Sequence, residues 1–207
     1  MRLRLLTVCL FATTAHAQTP AGGQPHQRDG FQLALGVGGA FHRVTGTLDP
    51  EPPGDTEATL TGLGIAGMVL AGWTVSPGFT VGGGAMGGHI FKPTVEVAGA
   101  ETDSKNDLIF LVVGPYLDWA PNPAGGLHVL AHLGVATLED GSDDTDTIAL
   151  GFGAGLGVGY DVWVSDQWAI GGLARLQMLR TSTEVTPALD VQYTSLVPAL
   201  QVVATWQ

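Results

Sequence analysis

Several residue sets in this 207-residue chain have types and spacings that invite a chemical reading. His128 and His132 lie four positions apart in an alternating segment. Tyr116, Asp118, Asp161, Arg175 and Gln177 occupy the less apolar parity of three other such segments. Four residues of strand span about 13 Å, too far for two ligands of one metal ion unless other strands contribute. The expected role is therefore an interior polar network, with the histidines beside Tyr116, Asp118 or Asp161. Arg175 should pair with an inward carboxylate, because buried charge needs a partner. Glu139, Asp140, Asp143, Asp144 and Asp146 form an oxygen-rich run. It lacks the spacing and closing Glu of an EF-hand, so a solvated acidic loop is expected and no metal. His42, His89 and Ser104 have no spacing that makes a nucleophile–base pair, and no catalytic residue is assigned.

Two stretches, Gly62–Gly67 and Gly82–Gly87, match the dinucleotide pattern GxGxxG. That pattern needs a strand before it and a helix after it, so that backbone amides face a pyrophosphate. Both matches fall inside strand-like alternation, and no cofactor is expected.

The elements that carry these residues have a period of two. From 148 to 160, Ile148, Leu150, Phe152, Ala154, Leu156, Val158 and Tyr160 share one parity, and Ala149 with five glycines, Gly151 to Gly159, fills the other. A helix would carry those interior glycines at about 1 kcal/mol each; a strand simply gains one apolar and one bare face. Comparable alternation runs through 31–42, 62–73, 109–119, 127–135, 168–178 and 195–206. The stretch 79–91 is also strand-like, with a parity drift that predicts a bulge near His89 and Ile90. Eight strands result. Short Pro/Gly/Asn/Asp-rich turns alternate with longer acidic connections at about 45–58, 93–106, 139–147 and 181–192, as an up-and-down meander requires.

Which solvent meets the apolar face decides the architecture. A lipocalin-like ligand carrier would turn it inward; a transmembrane barrel would turn it out to lipid. The opposite face is mostly Gly and Ala, a poor water-facing surface but a suitable filling for a narrow eight-stranded interior. All five tryptophans, Trp73, Trp119, Trp163, Trp168 and Trp206, border the short turns or the C-terminus, as an interfacial girdle would. Of 19 acidic residues, 15 lie in or beside the long connections, which leaves the spans nearly uncharged. A membrane helix fits less well, since 60–75 is short, Gly-interrupted and runs into Pro77-Gly78. The expected fold is all-β, an eight-stranded antiparallel up-and-down transmembrane β-barrel. Arg43, Lys92 and Arg180 then fall where strands meet long connections, suited to interfacial anchoring or to lipopolysaccharide phosphates.

Residues 1–17 read as a signal peptide: Arg2 and Arg4, an apolar stretch from Leu5 to Ala12, and Ala15-His16-Ala17 as the cleavage site. The only Cys, Cys9, lies within it. Residues 18–30 are polar and rich in Pro and Gly, which predicts a flexible N-terminal tail before the barrel domain at 31–207. Beyond residue 17 the chain carries 6 Lys/Arg and 19 Asp/Glu, a net of −13, which argues against nucleic acid.

Signal peptide, eight spans, short-turn/long-loop rhythm and a last strand ending in Trp206 together resemble the small eight-stranded outer-membrane barrels of Gram-negative bacteria, of the outer-membrane protein A, X or W type. In that family the aromatic is usually final, whereas Gln207 follows Trp206 here. The resemblance implies a bacterial outer-membrane location, lipid and lipopolysaccharide as surroundings, the barrel-assembly machinery as a partner in biogenesis, and a monomer. A structural, adhesive or surface-interaction role through the acidic loops is the first expectation. A narrow pore or conduit for small apolar molecules, motivated by the glycine-lined face, and a secreted ligand-binding barrel are the alternatives.

Overall fold

The computed structural model describes residues 28–49, 57–141, 148–186 and 189–207. The signal-peptide segment, most of the 18–30 segment, and Asp143, Asp144 and Asp146 of the acidic run lie outside the described residues. Ten strands form one sheet: β1 (Phe31–Asp49), β2 (Ala58–Ser76), β3 (Phe79–Ile90), β4 (Thr94–Val97), β5 (Ala100–Asp103), β6 (Leu108–Trp119), β7 (Leu127–Asp140), β8 (Ile148–Trp163), β9 (Trp168–Thr186) and β10 (Leu189–Trp206). Eight of them close into an antiparallel barrel, because β1 pairs with both β2 and β10. The remaining two, β4 and β5, form a hairpin laid against the start of β2. No helix occurs among the described residues.

The apolar parity faces out. Leu63, Phe152 and Leu200 are 72%, 77% and 71% exposed, while the opposite parity packs inside. This is the reverse of a lipocalin-like carrier. Leaving so many Leu, Ile, Val and Phe side chains in water would forfeit about 25 cal/mol per Å² of apolar surface, and a lipid surround removes that cost. The strands, 12 to 19 residues long, exceed the roughly 9–11 that cross a bilayer. Pairing therefore continues past the apolar belt at the long-loop end.

Two sequence expectations are corrected there. The connection expected at 181–192 is mostly sheet: pairing runs on through Val191↔Thr183 to Leu189↔Thr186. Thr and Val at alternate positions suit a strand in water as well as in lipid, so the loss of apolar alternation does not end the ladder. The bulge expected at His89 and Ile90 is absent from a regular register, Ile65↔His89 and Gly64↔Ile90. The break follows at Phe91–Pro93, where Lys92 takes a left-handed φ of 38° and Pro93 has no amide to offer the ladder. A register shift lies instead between Thr74 and Ser76, at the mouth of the Pro77-Gly78 turn. Gly78, at φ 74°, supplies the positive φ that this two-residue turn needs.

Two layers of side chains fill the barrel. Toward the long-loop end, Ile90, Phe110, Val112, Leu138, Leu179 and Val197 pack together, capped by Leu60 and Tyr193. Toward the short turns, Met68, Leu70, Met86, Tyr116, Leu130, Leu173 and Val203 do the same. Inward glycines make room for this filling. A Cβ at Gly72 or Gly82 would run into the Tyr116 side chain, and one at Gly159 would overlap the His128 ring.

Candidate functional site

The polar residues inside the barrel divide into two groups at different levels. The lower group sits at the short-turn end, where β6 delivers Asp118, β7 delivers His128 and β8 delivers Asp161. Each is one or two positions from the end of its strand, on the inward parity. Into this group comes Arg28, from the segment expected to be a free tail. Its Nη1 donates to Asp118 Oδ2 at 3.1 Å and its Nη2 to Asp161 Oδ2 at 2.7 Å. His128 Nδ1 lies 2.8 Å from Asp118 Oδ1, and its Nε2 lies 3.7 Å from Asp161 Oδ1. Gln32 Nε2 adds a longer contact to Asp118 Oδ2 at 3.4 Å. All five residues are buried.

Local chain geometry explains how Arg28 arrives. Gly30, at φ 71°, turns the chain just before β1, and its carbonyl accepts from the Thr74 amide. The Arg28 amide reaches the Pro123 carbonyl at 3.4 Å, in the turn between β6 and β7. Residues 28–30 are thus folded under the barrel mouth, and at Arg28 the tail expectation does not hold. Two carboxylates desolvated side by side repel each other, and a guanidinium forked between them satisfies both at once.

The upper group contains Arg175, Gln177 and His132. Arg175 Nη1 donates to Gln177 Oε1 at 3.0 Å, and Nη2 reaches the Gly87 carbonyl across the lumen at 3.4 Å. The carboxylate expected for Arg175 is absent among the described residues: both inward carboxylates belong to the lower group. His132 is buried opposite Tyr116 in the β6–β7 register and does not join His128. His42, buried in the upper apolar layer, stacks obliquely on Phe110 at 5.1 Å between ring centroids.

At the rims, the five tryptophans lie at the short-turn ends of β2, β6, β8, β9 and β10. Trp168 is directly opposite Trp206, and Phe31 packs against both Trp73 and Trp206 with centroids 6.3 and 5.8 Å apart. Arg43, Lys92 and Arg180 are exposed at the other end of the apolar belt. Arg180 Nη2 donates to Gln192 Oε1 at 3.2 Å. Lys92 donates its backbone N–H to Asp107 Oδ1 at 3.0 Å, and Asp107 Oδ2 lies 2.8 Å from His89 Nε2. The His89 side chain and then the Lys92 amide hold the Asp107 carboxyl below the usual carboxylate range. Ser104 Oγ donates to the Asn106 carbonyl, so His42, His89 and Ser104 are not brought together. Both GxGxxG matches lie within β2 and β3, with no helix following either. Glu139 is half-buried at the penultimate position of β7, and Asp140 is its last residue.

Among solved structures, the chain is similar to the outer membrane protein OprG from Pseudomonas aeruginosa, at 12% identity over 89% of this chain and 100% of that one, with a TM-score of 0.57. It is similar also to Neisserial surface protein A, at 9% identity over 85% and 96% of the two chains, with a TM-score of 0.53. A closed eight-stranded barrel with a lipid-facing belt and these neighbours decides the fold. This is a transmembrane β-barrel of the bacterial outer-membrane type. No protein-family model and no curated protein matches the chain.

What sequence reasoning missed in the barrel is Arg28. The missing signal was one of charge. Two inward carboxylates near one mouth had only a distant inward cation, Arg175, to balance them. A lone arginine three residues before the first strand was the nearest unassigned candidate.

Proposed function

We propose that the protein is a non-conducting, non-enzymatic barrel of the outer membrane that works through the surface it raises at the long-loop end. The observation that carries this reading is the Arg28 network. It places a forked guanidinium across the lumen base, beneath two packed layers of side chains. An ion path through such an interior would have to cross both the ion-paired base and residues such as Val112, which is 0% exposed.

The raised surface is acidic. The β4–β5 hairpin carries exposed Glu96, Glu101 and Asp103, with Glu96 directly opposite Glu101 across the ladder. Like charges in that position weaken a hairpin, so their presence is better suited to contact with a cationic partner than to stability. Planar-bilayer recording tests the closed reading. The folded protein is expected to give no unitary steps, and steps from the parent protein would overturn it in favour of a narrow pore.

A further inference from the structure

We infer that the middle of the lumen binds a small monovalent anion, of the halide class, against Arg175 and Gln177. Arg175 is a buried cation without a counter-charge. It is 5% exposed, and its guanidinium meets only neutral acceptors, Gln177 Oε1 at 3.0 Å and the Gly87 carbonyl at 3.4 Å. The two buried carboxylates, Asp118 and Asp161, are engaged by Arg28 at the base. A charge taken out of water needs an opposite one close by, and none among the described residues faces Arg175.

The polar atoms left over on this pair are donors. Arg175 Nε and Gln177 Nε2 are buried with no acceptor among the described residues. Their side chains are already joined to each other, so the two nitrogens are near neighbours in the lumen. A water there would bring two hydrogens of its own, while the Gln177 and Gly87 oxygens already receive from Arg175. An anion accepts from both nitrogens and neutralises the guanidinium at once.

The fold also sets the place and the size. Inward positions on β9 run Leu173, Arg175, Gln177, Leu179, from the lower apolar layer to the upper. On β7 they run Leu130, His132, Gly134, Ala136, with the same change of layer. The polar level is thus bounded above and below by hydrocarbon. Such enclosure favours one charge over two, because the cost of desolvation rises steeply with charge. Room comes at Gly155, which lies between His132 and Gln177 in one row of directly opposed residues. A Cβ at Gly38, Gly84, Gly114 or Gly134 would strike backbone, whereas one at Gly155 meets nothing closer than 3.6 Å.

The full chain, folded in detergent and crystallised from sodium bromide, tests this. Anomalous scattering is expected to place a bromide within hydrogen-bond reach of Arg175 Nε and Gln177 Nε2. In urea unfolding at constant ionic strength, replacing gluconate by bromide should raise the folding constant of the parent about tenfold more than that of Arg175→Met. An ordered water at that place, bromide found only on the outer surface, or an equal response of parent and variant would overturn it. Should Arg175→Met not fold, the bromide map of the parent decides alone. Nothing here rests on the surface role proposed above: unitary steps from the parent would end that reading and leave the anion to stand or fall on the map.

Discussion

Arg28 and Asp161 are 133 positions apart in the chain, yet the guanidinium Nη2 lies 2.7 Å from the carboxylate Oδ2 at the base of the lumen. The same guanidinium holds Asp118, so a single side chain from outside the strands ties the first strand to the middle of the sheet. The contact joins the start of the barrel to strands far along the chain, and it sets the behaviour of the lumen base.

Removing the arginine should therefore cost more than removing the whole network. Arg28→Ala leaves two buried carboxylates facing each other and is expected to destabilise the barrel by about 3 kcal/mol or more. Adding Asp118→Asn and Asp161→Asn should recover most of that loss. Urea unfolding in lipid vesicles, followed by tryptophan fluorescence, checks both. A triple variant as unstable as Arg28→Ala would mean that the arginine acts through packing. Arg28→Lys should fall between, because an ammonium cannot fork.

Glycines inside and outside the barrel should respond oppositely to the same methyl group. Gly159→Ala would drive a Cβ into His128, while Gly39 faces the lipid side with nothing within 4 Å of an added Cβ. Overpacking of the first kind is expected to cost about 1–3 kcal/mol. Gly39→Ala should be neutral or slightly stabilising, because it restricts the unfolded chain. Unfolding midpoints of the two variants in one detergent would show the contrast.

Asp107 gives a pH signature at the rim. Its folded value is depressed by His89 and the Lys92 amide, so its contribution is fully present above the unfolded carboxylate value near 3.9. It is lost as pH falls through the lower folded value. A carboxyl-carbon NMR titration should place the Asp107 midpoint below the usual range, and His89→Gln should move it up. A midpoint unmoved by His89→Gln would assign the shift to the amide alone.

The β4–β5 turn is strained at one residue. Ala98 and Gly99 have φ of 51° and 80°, the pattern of a type I′ turn, which favours Asn or Gly first. Ala98→Gly is expected to slow amide exchange in Val95 and Thr102 by about fivefold, a gain near 1 kcal/mol. Glu96→Lys, which replaces a repelling cross-strand pair with an attractive one, should act in the same direction.

Much of this architecture was readable from a single sequence because a strand carries its environment in its parity. Ile148 through Tyr160 declared an outward face and a bare face before any partner was known. The same parity put Asp118, His128, Asp161, Arg175 and Gln177 inside. It could not say which of them would meet, since that depends on the register between strands and on depth along the barrel. Arg175 was matched to a carboxylate on charge alone, and depth sent it to Gln177 and Gly87 instead. Arg28 lay in a segment with no period at all, so alternation had nothing to say about it. The outer extensions were misread for a related reason: past the apolar belt the hydropathy contrast along β9 and β10 disappears while the hydrogen-bonded ladder goes on.

The seam between β1 and β10 acquires a further meaning from the residue that precedes it. Asp118 and Asp161 are set by the central strands, which can pair with one another before the cylinder is shut. Arg28 stands three residues before β1, the strand whose pairing with both β2 and β10 closes the circle. A closed register and the counter-charge of the two carboxylates are therefore set by one end of one strand, and a cylinder with that strand out of register would leave the floor doubly negative.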